Sequence, residues 1–476
     1  NSKAPAPSGL NGYYWWDANQ SGSVDSGDPM YLQRVDDAID FNYARGGTTP
    51  GANLTDWFIN EWTGYITAQN AGDYYFGGVH DDFLDVRVGG AVVYSAGCCP
   101  GTPSYGGYTV HFDAGETKRI DVNYREYAGD AYATVYTKVA GGSDQKLHQV
   151  FALSTEPRPL STGWRMSVGA TAGYTSATIG EKSIVLTGDD GSTEEFTQTA
   201  ATPTIYRPPL GGSDLITRMS SGSLQLVTGD GSVYEFDSTG RLLSVSSSTD
   251  DRQPAATTYQ WSTGAGGVAQ LVGMTDPVSG RQVTLTYGPT GCPTMTGFDN
   301  PAPPGRLCKV AFWDGTATEL YYSSGRLARL RQPGDATLGY PITDFGYDAN
   351  GLLNAIRDPL ANDAITAGVR SNDDTTRTLI TYTAGKATQV QLPQPNAVAS
   401  PVRPVTTVTY GAQPTASTLG DTSTSVAGLS EPNGYARKVT FDGDFRGVDS
   451  YATNGVRSTI GWDGASERVA YTDTAV

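Results

Sequence analysis

Gly77-Gly78-Val79-His80-Asp81-Asp82-Phe83-Leu84-Asp85-Val86-Arg87-Val88-Gly89-Gly90 is the stretch from which the fold can be read. A strand runs in, two acidic residues stand side by side at a turn, and a strand runs out. In the outgoing strand Leu84, Val86 and Val88 share one face, and Asp85 and Arg87 the other. That is the period-two pattern of a half-buried strand. Adjacent carboxylates repel each other. They persist at low cost only when exposed, hydrogen-bonded or neutralised by a cation.

Similar segments flank this one. Leu10–Trp16 opens as a strand, residues 17–56 read as loop-rich, and Asp56–Ile66 reads as the next strand. Ala71-Gly72-Asp73-Tyr74-Tyr75-Phe76 leads into the acidic pair, and three more strands are expected near 106–112, 118–127 and 131–139. In the second of these, Ile120, Val122 and Tyr124 face one way and Asp121, Asn123 and Arg125 the other. Six to nine strands over this length, with two faces to cover, imply a sandwich or barrel. No long stretch shows 3.6-residue periodicity, so the whole chain is expected to be all-β.

The 476 residues carry a net charge of −17. Residues 1–155 hold 18 acidic and 9 basic residues, a net −9, and the other 321 carry −8. An acidic surface repels phosphate backbones, which argues against a nucleic-acid partner and suits cation binding or plain solubility. No run approaches the ~20 apolar residues of a membrane span. The first residue is Asn1, not Met, which we read as a processed or trimmed product. The lack of a signal peptide then says nothing about export.

Four cysteines and three histidines (His80, His111, His148) leave no zinc spacing. An even cysteine count in a Tyr/Gly/Thr-rich chain suggests an oxidising compartment. Cys292 and Cys308 bracket a Pro/Gly-rich loop and are expected to pair. For Cys98-Cys99 two readings stand open: free thiols, or a vicinal disulfide that stiffens a binding loop.

Residues 9–150 resemble the PA14 domain, a β-sandwich module of bacterial toxins, yeast flocculins and glycosidases. The matching pieces are Gly9-Leu10-Asn11-Gly12-Tyr13-Tyr14, Glu61–Ile66, Ala71–Phe76, Asp81-Asp82, Phe112–Gly115 and Ile120–Glu126, in order. In sugar-binding members of that family, neighbouring Asp residues joined by a cis peptide hold Ca²⁺, which binds sugar hydroxyls. The resemblance therefore implies Ca²⁺ at Asp81 and Asp82, and glycans or cell-surface carbohydrate as partners. Where the family usually has Gly, this chain has Phe83, which either alters the loop or offers a sugar ring an aromatic face. Tyr105, Tyr108 and Trp16 are further candidate sugar contacts. The Cys98–Gly107 loop is a candidate wall. His80 is read as a hydrogen-bond partner of the pair, and Glu126 as structural.

Residues 151–165 read as a boundary. Beyond it, Asp190-Gly191, Asp230-Gly231 and Asp314-Gly315 signal hairpins. A unit of strand, aromatic-Asp, Gly turn and strand then repeats. It passes through Phe236-Asp237 to Gly240-Arg241-Leu242, Tyr322 to Gly325-Arg326-Leu327, Tyr347-Asp348 to Gly351-Leu352-Leu353, and Tyr382 to Gly385-Lys386. Phe441-Asp442-Gly443 recurs as Trp462-Asp463-Gly464. One such hairpin cannot bury its own face and must stack on its neighbours. These units resemble RHS/YD repeats, which build β shells in polymorphic toxins, toxin complexes and teneurins. Inserts fall at 289–308 and 359–378, and the pattern is still running at Val476, so we read the chain as part of a longer protein. The repeat Asp residues are expected to fix turns, and Arg241 and Arg326 to form ion pairs on a solvated face.

The expected organisation is a leader at 1–8, a PA14-like sandwich at 9–155, a degenerate hairpin lead-in at 156–230 and RHS/YD-like repeats at 231–476. No nucleophile–base set, metalloprotease motif or phosphate loop is present, so we read no enzyme. The first functional reading is a secreted or cell-surface, Ca²⁺-dependent carbohydrate-binding adhesin. The alternatives are the N-terminal part of an RHS polymorphic toxin or toxin shell, and a self-associating subunit of an extracellular fibre or layer.

Overall fold

The computed structural model describes residues 9–24, 28–43, 54–155, 160–161, 164, 166, 173–179, 183–188, 193–199, 202–208, 212–247, 256–334, 339–395, 403–415, 417–427, 435–443, 446–462 and 469–475. The expected leader 1–8, Asp190-Gly191 and Asp463-Gly464 lie outside them, as do 156–159, 162–163 and 165 of the 151–165 boundary, whose first residues instead form a strand of the sandwich, Phe151–Ser154. The described chain is all-β apart from short helical turns.

Twelve strands precede residue 155. They are β1 (Leu10–Trp16), β2 (Met30–Asp36), β3 (Asp40–Asn42), β4 (Phe58–Ala68), β5 (Gly72–Asp81), β6 (Phe83–Val88), β7 (Ala91–Ala96), β8 (Ser104–Phe112), β9 (Thr117–Glu126), β10 (Tyr132–Val139), β11 (Gln145–Lys146) and β12 (Phe151–Ser154). This exceeds the six to nine expected. β2 and β3 lie in the stretch read as loop-rich. β2 is an edge strand on β1, and the three-residue β3 pairs with β10, so partners rather than their own patterns hold them.

One sheet runs β2-β1-β4-β9-β6-β7, with β12 also on β4, and the other β11-β10-β5-β8, with β3 on β10. The two pack face to face. Tyr14, Trp62, Leu84, Val86, Ile120, Val122 and Tyr124 from the first meet Tyr74, Phe76, Phe112 and Val135 from the second, all buried. Each large aromatic buried this way contributes on the order of 2–3 kcal/mol. The buried Asp36 is satisfied by Tyr14 Oη at 2.6 Å, Trp62 Nε1 at 2.8 Å and Arg34 Nε at 2.7 Å. Gly77 is small for a reason: a Cβ there would overlap the Ser104 carbonyl of the neighbouring strand.

From β13 (Tyr174–Ile179) to β36 (Val469–Ala475), 24 strands form a single antiparallel sheet in strict sequence order. It crosses position 230 without interruption, as 224–227 pairs with 232–236. Gly231 and Gly315 turn their hairpins at φ 89° and 85°, the left-handed region that Gly reaches freely. The 359–378 insert holds a helix at Pro359–Thr366, started by Pro and capped by Asp358 accepting from Ala361 N.

The repeated aromatics share one device. At Tyr287, Tyr322, Tyr347, Tyr382 and Trp462 the strand register shifts by a bulge. Each polar tip then donates to a backbone carbonyl earlier in the chain: Tyr287 to Leu271, Tyr322 to Leu307, Tyr347 to Leu327, Tyr382 to Leu353 and Trp462 to Gly447, at 2.6–2.9 Å. The repeat Asp residues fix turns as expected. Asp237 accepts from Thr239 N and Arg241 N, and Asp348 from Asn350 N and Leu352 N. Arg241 pairs with Asp237 at 2.6 Å. Arg326 departs from the expectation: it lies over the Tyr347 ring at 5.6 Å, with no carboxylate in ion-pair range among the described residues.

The sandwich and the long sheet touch. Buried Arg306, which follows the Pro/Gly-rich stretch 293–305, donates to Leu160 O at 2.5 Å and to Gly115 O in the β8–β9 turn. Cys292 and Cys308 are bonded, with Cα atoms 5.5 Å apart, and close the loop that presents this arginine.

Candidate cation and glycan site

β5 and β6 belong to different sheets, so the acidic pair is not a simple turn within one sheet but the crossing from one layer to the other. Asp81 ends β5 opposite Tyr132, Asp82 alone makes the link, and Phe83 starts β6 opposite Arg125. A crossing at the rim holds both carboxylates partly exposed. The Asp81-Asp82 peptide is cis, as is Cys98-Cys99, and the two cysteine sulfurs are bonded to each other. Of the two readings left open for that pair, the disulfide is the one present.

The Asp81 and Asp82 carboxylates and both sulfurs lie within 4.8 Å of one another. The sulfurs approach Asp81 Oδ1 to 3.1 and 2.8 Å. Bonded to each other, they have no proton to donate, so these are contacts and not hydrogen bonds. Asp82 Oδ2 accepts from the backbone N–H of Tyr127 at 2.9 Å and Ala128 at 3.3 Å. Burial, then the charges of Asp82 and Asp130, raise the Asp81 pKa above the usual carboxylate value. Negative charge concentrated in this way is a setting a bound cation would relieve.

A polar shell holds the crossing. His80 is fully buried. Its Nδ1 lies 3.0 Å from Asp82 O and its Nε2 2.8 Å from Tyr94 Oη. A carbonyl can only accept, so Nδ1 carries the proton and Nε2 accepts from Tyr94, whose oxygen meets Ser104 Oγ at 2.7 Å. Burial lowers the His80 pKa, in keeping with a neutral ring. Its role is a hydrogen-bond partner, as read. Tyr124 Oη reaches Asp81 O and lies 2.8 Å from Glu126 Oε2. Glu126 is 1% exposed, and burial, with added repulsion from Asp82, Asp81 and Asp56, raises its pKa to about 8. At neutral pH it is protonated. It then donates to Tyr124, whose own proton goes to Asp81 O.

The proposed aromatics are placed less favourably. Phe83 adjoins the pair, but the Arg125 guanidinium lies over its ring at 4.9 Å. Trp16 is 45% exposed at the end of β1. Two strands, β4 and β9, separate it from β6, about 14 Å at ~4.8 Å per strand. Tyr105 pairs with Gly77, has Lys138 Nζ 4.0 Å from its ring centre, and donates to Asp144 at 2.8 Å. Tyr108 is 75% exposed near the β5–β8 register shift at Tyr75–Gly77, roughly 13–20 Å along β5 from Asp81. The structure therefore brings together Asp81, Asp82, Phe83, Cys98 and Cys99, and leaves Trp16, Tyr105 and Tyr108 apart from them.

Sequence reasoning missed Tyr94, Ser104, Tyr124 and Asp130. The folding of β6 to β10 around the crossing brings them there, and no local pattern marks them.

No family model and no curated protein matches the chain. Among solved structures, the chain is similar to an anti-sigma factor domain-containing protein (19% identity, TM-score 0.26), a match over 36% of this chain and 54% of that one. It is similar to a "PA14 sugar-binding domain from RTX adhesin" (19% identity, TM-score 0.26) over 31% of this chain and all of that one. TcdB2-TccC3 without its hypervariable C-terminal region matches 96% of this chain and 27% of that one (13% identity, TM-score 0.25). Among the described residues, no helix is long and apolar enough to cross a membrane.

Proposed function

We propose that the N-terminal sandwich binds Ca²⁺ through Asp81 and Asp82 and, with the ion, the hydroxyls of a glycan. The long sheet is the scaffold that carries this module, on a secreted or cell-surface protein. The donor set fits a hard cation: two carboxylates converge on an exposed rim, and Asp130 adds negative charge. The disulfide sulfurs are soft and neutral, and serve as a wall. Bound calcium would supply open coordination positions to paired sugar hydroxyls. Tyr124 and His80 hold the two backbone carbonyls of the pair, which fixes the direction in which the carboxylates leave the chain.

The observation that carries the reading is the convergence of the Asp81 and Asp82 carboxylates at the sheet crossing. Glycan-array binding in calcium, in EDTA, and by Asp81→Asn tests it. The reading expects binding in calcium alone, and by the wild type alone. Binding that survives both chelation and the substitution would contradict it.

A second reading, a wall of a container as in toxin shells, is favoured by the 24 strands that follow one another in strict order. Electron microscopy of the full-length protein would distinguish a closed shell from an open carrier.

A further inference from the structure

A cleft of about 750 Å³ lies where the sandwich meets the long sheet. Gln69, Asn70 and Ala114 line it from the sandwich side. Arg326, Arg329, Arg357 and Arg377 line it from the sheet, against a single lining carboxylate, Asp344. This is a basic, open cleft in a chain of net charge −17.

Two of the four arginines are matched. Arg329 holds Asp344 with two hydrogen bonds, at 2.5 and 3.0 Å. Arg377 reaches Asp374 at 3.2 Å. Arg326 and Arg357 have no carboxylate in ion-pair range among the described residues. Arg357 is 5% exposed and donates only to neutral oxygens, Thr376 Oγ1 and Asp373 O, both at 3.2 Å. Burial, then the charge of Arg377, lowers its pKa from the usual guanidinium value. A guanidinium does not give up its proton in a protein, so the charge stays, and the more distant charges of Asp344, Asp373 and Asp374 offset only part of its desolvation.

We propose that this cleft binds a small ligand through an oxyanion, a carboxylate or a phosphate, held by Arg326 and Arg357. The planar fork of Arg suits both groups. The volume falls in the range of ~300–1,000 Å³ typical of small-molecule sites. Ser323, Ser324, Gln69 and Asn70 offer neutral hydrogen bonds to the rest of the ligand. The site shares no residue with the Asp81-Asp82 crossing and stands whether or not that crossing binds calcium.

Calorimetric titration of the intact chain at low ionic strength with citrate, and separately with inorganic phosphate, tests the proposal and separates the two chemistries. Saturable binding of at least one is expected, weakened about tenfold or more in Arg326→Gln. Arg326 is only partly buried, so this variant should keep its melting temperature. Arg457→Gln, which removes an exposed arginine paired with Asp449, should bind as the wild type does. Three results would overturn the proposal: no saturable binding of either probe, unchanged binding by Arg326→Gln, or equal weakening in both variants.

Discussion

Glu126 keeps its proton at neutral pH because ionising it would put a charge in a buried place already facing Asp81 and Asp82. Its folded pKa of about 8 lies above the ordinary 4.5. The folded state thus holds more protons between those values, and stability falls as pH rises through that window. In EDTA, warming wild type and Glu126→Gln at about pH 6 and about pH 9 should show a drop in Tm for the wild type. That drop should be largely absent in the variant, on the order of 2–4 °C for each kcal/mol recovered. Equal drops would mean Glu126 titrates like a solvated carboxylate. Asp82→Asn differs in kind. It keeps an acceptor for the Tyr127 and Ala128 N–H groups, so thermal stability should stay within about 1 kcal/mol while calcium affinity falls. At this scale the acidic pair was legible in the sequence, because two adjacent Asp residues between apolar strands demand an explanation. Tyr124 was not, because its approach to Asp81 depends on β9 pairing with β6.

The elements tell a similar story. Alternation in Leu84, Val86 and Val88 identified β6, since half-burial imposes that period. β2 and β3 escaped because β1 and β10 supply their order. Repeat spacing marked the aromatics of the long sheet, but the bulge that aims each polar tip at an earlier carbonyl is a property of paired strands. The hydrogen bond from a tyrosine tip to an earlier carbonyl predicts a graded series, with or without the bulge. Tyr322 is fully buried and Tyr410, which donates to Ala387 O, is 40% exposed. Tyr322→Phe should cost about 1–3 kcal/mol by leaving the Leu307 carbonyl without its partner, and Tyr410→Phe close to nothing, because water replaces the tyrosine. Urea midpoints of the two variants would check the order.

At the scale of the molecule, β1–β12 form two sheets and β13–β36 a third. The seam between them could not be read in advance, as it assembles residues from 69 to 377. Arg306 pins it by donating to Gly115 O and Leu160 O from a site closed to solvent. Arg306→Met should keep both parts folded while loosening their docking, so limited proteolysis should separate the sandwich from the long sheet faster than in the wild type. Unchanged cleavage would show that the remaining contacts suffice.

The central claim, that Asp81 and Asp82 form a calcium site, is tested most directly by titrating calcium into the metal-stripped chain in a calorimeter. The account predicts one saturable site in the ~0.1–1 mM range of extracellular modules, abolished by Asp81→Asn. No saturable heat, or the same heat from the variant, would contradict it.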